Sequence, residues 1–348
     1  MILSRVDRDC SGNALYWSEP AITNTFLQSR TLATSWTKLV AADTIGGSIA
    51  TPFGLTSTTA GLIGDATNVD HGVTQAATVT AAVWTMSVIA KAGSKTWAYL
   101  SDNTVVNATG YLNLSTCATG TAGAGVRELF ATSLGNGWCR IGLSFTGTAA
   151  AHTFAIQSAD ADLDKTVTGD GATVMTYFTE MQLELWFFPT TRYPTTTATA
   201  ARSADVLRYA GSGNATPTRG SLVCSIVVPA SDYNTVGMYA GINDAAGATH
   251  NIEALVNTTD VTRFVENGGW DFVGTSDIAD GLLATVSTTW TLGAQAIYVD
   301  GAQENTASVA SVPGAADRLL IGVDLAGGSQ FGGGIKRCRV FDTAGVRQ

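Results

Sequence analysis

The stretch that decides the fold class is VWTMSVIAK, residues 83–91. Its side chains alternate along the chain, so that Trp84, Met86 and Val88 fall on one side. A two-residue period is typical of a β-strand that turns one face toward a hydrophobic core. The stretch therefore predicts a strand that packs against a second layer of structure.

Further strand-like runs lie on both sides of this one. Residues 138–145, WCRIGLSF, place four apolar side chains on one face: Cys139, Ile141, Leu143 and Phe145. Residues 153–157 and 174–185 complete the series, and turn-forming glycine, asparagine and aspartate separate the runs. A second alternating series begins near residue 220 and includes residues 252–256, 296–299 and 335–341. Asp300-Gly301 follows the apolar run 296–299 and predicts a two-residue hairpin turn. Short strands at this spacing are typical of β-sandwiches.

The composition agrees with strands and turns. The 348 residues include 38 glycines, and charged residues make up only 14%, against about 25% in ordinary soluble domains. Residues that favour long helices are scarce, whereas threonine, which suits a pleated sheet, is abundant. We therefore predict an all-β chain of two tandem antiparallel β-sandwiches.

Three segments are predicted along the chain. Residues 1–20 lack a sustained period and are interpreted as an extended N-terminal arm. Residues 21–208 and 209–348 are the two sandwiches. Proline and threonine in residues 188–197 predict an extended strap that leaves the first of them.

Charge and hydropathy restrict the partners. The formal net charge of −9 disfavours binding to nucleic acid, which needs clustered lysine and arginine. No apolar run approaches the ~20 residues of a membrane span, so no membrane insertion is expected. Residues 1–12 carry four charges and no apolar core, so we expect no signal peptide and synthesis in a host cytoplasm.

The five cysteines show no metal-binding spacing. Wide separation and an odd number favour buried free thiols in a chain made in the cytoplasm. A disulfide between Cys224 and Cys338 stays open as the alternative, because both lie on strands near the two ends of one sandwich.

Four segments of the first half stand out by their order along the chain: LQSR with SWTK (27–30 and 35–38), WTMSVIAKA (84–92), LGNGWCR (134–140), and MQLE with FPTTRYPTT (181–184 and 188–196). In this order they resemble a jelly-roll module that implies a β-sandwich fold of the jelly-roll type, is common in phage structural proteins and is related to carbohydrate-binding families. RSADV at 202–206 follows, as is usual in that module. Trp84 and the LWF of residues 185–187 depart from the pattern.

The second half resembles a laminin-G or concanavalin A-like sandwich. The similar segments are IYVDG (297–301), RLLIG (318–322) and FGGGIKRCRVF (331–341). These are structural motifs, and they imply a fold more than an activity.

The two resemblances imply a bacteriophage virion structural protein on the virion surface, either a capsid decoration or head-fibre subunit or a tail-fibre subunit. The expected partners are major capsid or tail proteins, host-surface or environmental glycans, and further copies of the chain, with a trimer favoured. The alternative is a free carbohydrate-binding, lectin-like module. A polysaccharide-degrading enzyme is the third hypothesis.

The enzyme hypothesis is disfavoured by spacing. Glu180 and Glu184 would share a strand face about 13 Å apart at ~3.3 Å per residue. Glycosidases need roughly 5–5.5 Å or 6.5–9.5 Å between their two carboxyl groups. The three histidines show no catalytic spacing and are interpreted as isolated surface or turn residues. We therefore predict no enzymatic activity and no catalytic residue, with Glu184 anchoring the strap.

The candidate glycan-binding residues are aromatic, because ring faces stack on the C–H patches of sugars. Those next to predicted turns or on a short strand are Trp97, Tyr99, Trp186 and Trp270. Packing in a core is the alternative for each of them.

One acidic segment invites a metal hypothesis. Asp160, Asp162 and Asp164 follow the first ligand positions of a calcium loop, but Lys165 and Gly171 replace the glycine and glutamate that it needs. One hypothesis is a looser structural calcium site that also uses Asp170. The alternative is an acidic turn that is exposed to solvent and binds no metal. No other cofactor is expected.

Overall fold

The chain forms two compact units. The computed structural model describes residues 6–8, 14–17, 19, 21–32, 34–105, 107–203, 207–210, 218–228, 237–243, 252–256, 261–266, 270–278, 282–291, 293–307, 318–322, 331 and 334–341. Residues Ile22–Arg202 form one unit, which we call the inserted unit. Residues Met1–Ala21 and Ser203–Gln348 together form the other, the split unit.

Every regular element of the described residues is a β-strand. Up to residue 202 the strands are β1 (Val6–Arg8), β2 (Ala14–Trp17), β3 (Ile22–Asn24), β4 (Thr37–Lys38), β5 (Thr44–Gly46), β6 (Ile49–Ala50), β7 (Thr56–Ser57), β8 (Gly61–Ile63), β9 (Asn68–Asp70), β10 (Gly72–Val79), β11 (Val83–Ala92), β12 (Trp97–Asp102), β13 (Ala108–Asn113), β14 (Ala118–Ala122), β15 (Val126–Gly135), β16 (Trp138–Thr146), β17 (Ala150–Ala159), β18 (Thr166–Thr168), β19 (Thr176–Glu184) and β20 (Ala200–Arg202).

The remaining described strands belong to the split unit. They are β21 (Leu207–Ala210), β22 (Arg219–Val227), β23 (Gly237–Asn243), β24 (Ile252–Val256), β25 (Val261–Glu266), β26 (Trp270–Asp277), β27 (Leu283–Thr291), β28 (Ala294–Val299), β29 (Ala302–Ala307), β30 (Arg318–Ile321) and β31 (Gly334–Phe341). The all-β prediction is confirmed. The described part of the chain includes no helix of the length and apolar character that a membrane span requires.

The inserted unit has two six-stranded sheets. The front sheet has the order β14-β13-β12-β17-β10-β4, and the back sheet has the order β15-β16-β11-β19-β8-β5. Neighbouring strands pair antiparallel in both sheets. Side chains of both sheets meet in one buried cluster, to which Met86 and Val88 come from the back sheet and Leu100, Phe154 and Ile156 from the front. This arrangement is a β-sandwich.

The strands that the alternation predicted are present. Residues 83–91 lie in β11 and residues 138–145 in β16, and the two strands are neighbours in the back sheet. The four side chains predicted to face the core from β16 are all fully buried: Cys139, Ile141, Leu143 and Phe145. The two-residue period is therefore confirmed as the signal that decides this unit.

The strap, residues 188–197, covers polar side chains on the outer side of the back sheet. Glu184 is fully buried at the end of β19, and its Oε1 and Oε2 accept hydrogen bonds from the Thr190 hydroxyl (2.5 Å) and the Thr190 N–H (3.1 Å). Arg140 donates to the carbonyl oxygen of Thr190 (2.5 Å) and to Gln182 (3.1 Å). The predicted anchoring role of Glu184 is confirmed.

The far half of the strap is tied to the start of the unit. The side-chain amide of Asn24 donates to the carbonyl oxygen of Tyr193 (2.9 Å), and the hydroxyl of Thr195 donates to that of Phe26 (2.6 Å). Next to the strap, Ala200–Arg202 pairs with β3, so that Arg202 lies opposite Ile22. The chain therefore enters and leaves the inserted unit side by side.

The split unit also has two sheets. The orders are β1-β2-β31-β22-β27-β28-β29 and β21-β30-β23-β24-β25-β26. Glu304 on β29 links them, because its carboxylate accepts hydrogen bonds from the N–H and hydroxyl groups of Thr275 and Ser276 on β26. These hydrogen bonds, led by that of the Thr275 hydroxyl, hold the pKa of Glu304 below its ordinary value.

The predicted hairpin turn at Asp300-Gly301 is present between β28 and β29. Val299 pairs with Ala302, and the two turn residues have φ values of 49° and 83°. Two consecutive positive φ angles define a two-residue hairpin of type I′, for which the Asp-Gly pair is favoured.

The N-terminal segment differs from its prediction as an extended arm. Residues Ala14–Trp17 form β2, which pairs with β31 at Tyr16 opposite Ile335 and Trp17 opposite Gly334. Residues Met1–Ala21 therefore belong to the same unit as Ser203–Gln348, and the two units are not consecutive along the chain. A run of four residues is too short to show a periodicity, so the alternation could not reveal this strand.

The prediction of free thiols is wrong for four of the cysteines. Cys117 bonds to Cys139 and Cys224 bonds to Cys338. Cys224 and Cys338 occupy directly opposite positions on β22 and β31, whereas Cys117 lies in the turn after β13 and meets Cys139 on β16. The Cys117–Cys139 contact depends on the order of the strands, which the spacing of cysteines in a sequence does not reveal. Cys10 lies outside the described residues.

Peptide mapping without reductant should recover both bridges, Cys117–Cys139 and Cys224–Cys338. The double variants C117A/C139A and C224A/C338A should each lower the free energy of unfolding by about 2–4 kcal/mol, because the unfolded chain regains freedom. Urea denaturation with and without reductant measures this free energy. Reductant should destabilise each double variant less than the parent, because only one bridge remains to be reduced. Quantitative alkylation of these four thiols in unreduced protein would contradict the assignment.

Glu184→Ala should lower the free energy of unfolding by about 3 kcal/mol, since it leaves the buried donors of Thr190 and Gln182 without an acceptor. It should also expose the strap to trypsin after Arg192. Glu184→Gln keeps an acceptor oxygen and should recover most of the loss. Urea denaturation and limited proteolysis measure the two effects, and an Ala variant as stable and resistant as the parent would show that the strap is held elsewhere.

Candidate functional site

Aromatic side chains gather on the outer surface of the front sheet. On β12, Ala98 and Leu100 point into the core, so Trp97 and Tyr99 occupy the opposite surface. On β13, Leu112 points inward and Tyr111 outward. Tyr99 and Tyr111 are directly opposite in the strand register. We call Trp97, Tyr99 and Tyr111 the aromatic face.

The three rings differ in exposure. Tyr99 is only 9% exposed, and its ring centroid lies 4.8 Å from that of Tyr111. Trp97 and Tyr111 are half-buried, so part of each ring remains accessible. Tyr99 therefore packs against Tyr111 from the neighbouring strand, and the accessible ring surface belongs to Trp97 and Tyr111.

Trp97 reaches across β13 to β14. A β-carbon placed on Gly120 of β14 would lie 2.6 Å from Cζ3 of Trp97 and 2.8 Å from Oδ1 of Asp162. A side chain at position 120 would force one of these neighbours to move. Glycine at this position therefore lets the indole ring lie close against the sheet backbone.

Residues 160–165, which we call the acidic hairpin, border the aromatic face. Asp162 accepts hydrogen bonds from the N–H (2.9 Å) and the hydroxyl (3.0 Å) of Thr121 on β14. Asp160 pairs with Lys95 at 2.7 Å. The ammonium group of Lys165 lies 5.8 Å from the ring centroid of Tyr99 and pairs with Asp70. These contacts hold the hairpin against the edge of the face.

The electrostatics of the face are acidic. Burial raises the pKa of the Tyr111 phenol above its ordinary value of 10.0, and Tyr99 and the carboxylates of Asp164, Asp70 and Asp162 raise it further. A carboxylate that opposes formation of a phenolate would also oppose any anion placed against this ring.

Gln157 adds a polar group beside the rings. It lies opposite Tyr99 on the neighbouring strand β17 and is 4% exposed. Its side-chain oxygen Oε1 has no hydrogen-bond partner in the structure. A buried amide oxygen without a donor is uncommon, and a small rotation toward the surface would offer it to a ligand hydroxyl.

The structure brings together two of the four aromatic residues predicted to bind glycans. Trp97 and Tyr99 share the aromatic face, whereas Trp186 packs against Phe187 and Phe188 where the strap leaves the back sheet. The backbone of Trp270 begins β26 of the split unit, but its side chain lies outside the described residues.

The four aspartates of the calcium hypothesis fall in two places. Asp160, Asp162 and Asp164 belong to the acidic hairpin, and Asp164 accepts hydrogen bonds from the N–H and hydroxyl of Thr166. Asp170 lies in a separate turn, where hydrogen bonds from the hydroxyl and N–H of Thr173 and the N–H of Ala172 lower its pKa to about 2. Each carboxylate therefore has protein donors, and calcium binding stays an untested prediction.

Sequence reasoning missed Tyr111, Gln157 and Lys165. A signal for Tyr111 exists, because Ala108 and Leu112 are apolar positions of one strand face and Tyr111 lies on the other. Gln157 and Lys165 give no such signal, since their relevance depends on which strands are neighbours.

The interpretation of the histidines as isolated surface residues is wrong for two of them. His71 and His152 are fully buried, and each Nδ1 lies 2.6 Å from a carboxylate oxygen, of Asp43 and Asp102 respectively. Each Nε2 donates to a backbone carbonyl oxygen, of Thr67 or Thr148. Both rings thus use both nitrogens to fix loops. His250 lies outside the described residues.

One of these histidines also belongs to a group that could hold a metal ion. Asp43, Asp65 and His71 place their ligand atoms within 4.8 Å of one another. Both nitrogens of His71 are engaged with Asp43 and Thr67, and Asp65 accepts hydrogen bonds from Thr67. The group is therefore explained as a structural network.

Comparison with known proteins gives no family. No protein-family model matches the chain, and no curated protein matches it. Among solved structures, the CBM40 of a Ruminococcus gnavus sialidase, bound to α2,3-sialyllactose, is 13% identical over 38% of this chain and 79% of the module, with a TM-score of 0.33.

Two further structures are of the same kind. Domain 4 of the Geobacillus stearothermophilus arabinanase AbnA, in complex with arabinotriose, is 18% identical over 37% of this chain and 63% of that one, with a TM-score of 0.31. A putative carbohydrate-binding protein from Bacteroides ovatus is 11% identical over 82% of this chain and 79% of that one, with a TM-score of 0.32. Likenesses of this size carry no weight for fold or function.

Proposed function

We propose that the inserted unit binds neutral glycans on its aromatic face. The observation that carries the proposal is the placement of Trp97, Tyr99 and Tyr111 together on the outer surface of one sheet, with two of the rings partly accessible. Aromatic side chains that are not needed for the core are unusual on the surface of a soluble protein.

The chemistry of the face suits a sugar chain. Pyranose rings present C–H patches that pack on aromatic rings, while their hydroxyl groups need polar partners at the border. Gln157 supplies an acceptor oxygen, and the acidic hairpin supplies carboxylates and the Lys165 ammonium group. The flat support that Gly120 gives to Trp97 favours stacking over insertion into a deep cavity.

The charge of the face selects among glycans. The carboxylates of Asp70, Asp160, Asp162 and Asp164 outnumber the ammonium groups of Lys95 and Lys165 around it. Excess negative charge repels uronic and sialic acids, whereas neutral sugars meet no such penalty. We therefore infer a preference for neutral polysaccharides.

Trp97→Ala and Tyr111→Ala should each weaken binding to a neutral polysaccharide roughly tenfold or more, which corresponds to at least about 1.4 kcal/mol. Affinity electrophoresis against glucans, mannans, galactans, xylan and arabinan identifies the ligand, and isothermal titration with its oligosaccharide measures the change. Trp186→Ala is the matched control, because Trp186 packs by the back sheet and should leave affinity unchanged.

Two results would overturn the proposal. Absence of binding to every neutral polysaccharide would remove the function, and a preference for uronic or sialic acid polymers would contradict the charge argument. Release of reducing ends during incubation would favour the polysaccharide-degrading alternative instead.

We further propose that the binding face is displayed on a bacteriophage particle, as a capsid decoration or fibre subunit. The support is the sequence resemblance over residues 27–206 to a module of phage structural proteins. The chain should then co-sediment with intact particles at a fixed ratio to the major capsid or tail protein. A chain that is absent from purified particles would be a free lectin-like module.

A further inference from the structure

A second ligand site is indicated by a pocket in the inserted unit that shares no residue with the aromatic face. Its volume is about 350 Å³. The walls come from the segment 51–59 around β7, the turn at Arg30 and the β19 residues Thr179 and Glu180. Most lining side chains carry hydroxyl groups, among them Thr51, Thr56, Ser57 and Thr58. Pockets for small ligands begin at roughly 300 Å³.

The backbone at Glu180 is distorted. Ser87 of β11 pairs with Gln182, but Ile89 pairs with Thr179, so one residue of β11 faces two of β19. This is a β-bulge, and Glu180 in it has a φ of 52°, a left-handed conformation that non-glycine residues rarely adopt. Bulges of this kind re-aim side chains and often lie at binding sites. Here the bulge makes Glu180 part of the pocket wall.

The carboxylate of Glu180 is only half satisfied. Its Oε1 accepts from Arg30 Nε at 2.9 Å and from Arg192 Nη1 at 2.8 Å. Its Oε2 has no hydrogen-bond partner in the structure, although the side chain is 2% exposed. The hydroxyl of Thr51, which also lines the pocket, has no partner either. Buried polar atoms without a partner are uncommon, and a ligand hydroxyl that enters the pocket is one group that would satisfy them.

The charges at this wall, together with the unpartnered oxygen of Glu180, favour a ligand that offers a hydroxyl group. Arg30 and Arg192 both contact the carboxylate, so a divalent cation placed beside Oε2 would be repelled by two guanidinium groups. An anion has no proton to donate to Oε2 and would leave that oxygen unsatisfied. A hydroxyl group meets neither penalty, and it donates to Oε2 while accepting from the threonine hydroxyls or from Arg30.

We propose that this pocket binds a single neutral sugar residue through Glu180 and Arg30, independently of the aromatic face. The inserted unit then has two sugar sites, one for a chain stacked on aromatic rings and one for a terminal or free monosaccharide. The walls of the pocket hold no aromatic ring, so recognition there depends on hydrogen bonds.

The test is a titration of the whole chain with methyl glycosides of glucose, galactose, mannose, N-acetylglucosamine and arabinose, followed by ¹H–¹⁵N NMR. At least one sugar should shift the amide signals of Thr51, Thr58 and Glu180 in a saturable way. Thr58→Trp, a change at an exposed rim position, should fill the pocket and abolish these shifts. Thr132→Trp is the matched control, because Thr132 is exposed on strand β15 and lines no part of the pocket.

Two further variants separate the two sites. Glu180→Gln should weaken the pocket titration at least tenfold, because the amide nitrogen cannot accept a hydroxyl proton. Trp97→Ala should leave it unchanged, whatever its effect on polysaccharide binding. The proposal is overturned if no sugar gives saturable shifts at the pocket, if Thr58→Trp leaves them intact, if Trp97→Ala removes them, or if calcium chloride alone reproduces them.

Discussion

The buried carboxylate of Glu184 is the constraint on which the inserted unit depends. It is fully buried at the end of the last long strand of the back sheet, and Thr190 binds both of its oxygens. A buried charge without these donors would cost several kcal/mol. The strap must therefore lie over the outer side of β19 and over Arg140. On the front sheet, Trp97 and Tyr111 of the aromatic face stay partly accessible.

The two sheets consequently offer different surfaces. The front sheet presents partly accessible rings on β12 and β13, which pair in regular register, and this surface suits an extended ligand. Near the back sheet, the bulge at Glu180 interrupts the regular pairing and a polar pocket opens beside it. Regular pairing keeps the surface of a sheet flat, whereas a bulge bends the strand and re-aims its side chains. At Glu180 the pocket lies beside such a bulge. Both proposed sites thus follow from how closely β12 and β19 keep to ideal strand geometry.

The sequence predicted what local periodicity determines. The alternation of side chains predicted β11 and β16 and the face that each strand turns to the core. The Asp300-Gly301 pair predicted the hairpin between β28 and β29. It did not reveal β2, whose four residues are too short for a period, or the Cys117–Cys139 bridge, which depends on strand order. Trp97 and Tyr99 were found because they share one strand. Tyr111 and Gln157 join them only through cross-strand register.

The pairing of Ile22 with Arg202 has a consequence for how such a chain changes over evolutionary time. Because both ends of the inserted unit emerge together, an exchange of the DNA between these two positions would replace one complete module with another. The split unit, built from β1, β2 and the strands after residue 203, would keep its own hydrogen bonds. The proposed binding surfaces of the inserted unit would then diversify by exchange of the module while the split unit stayed constant.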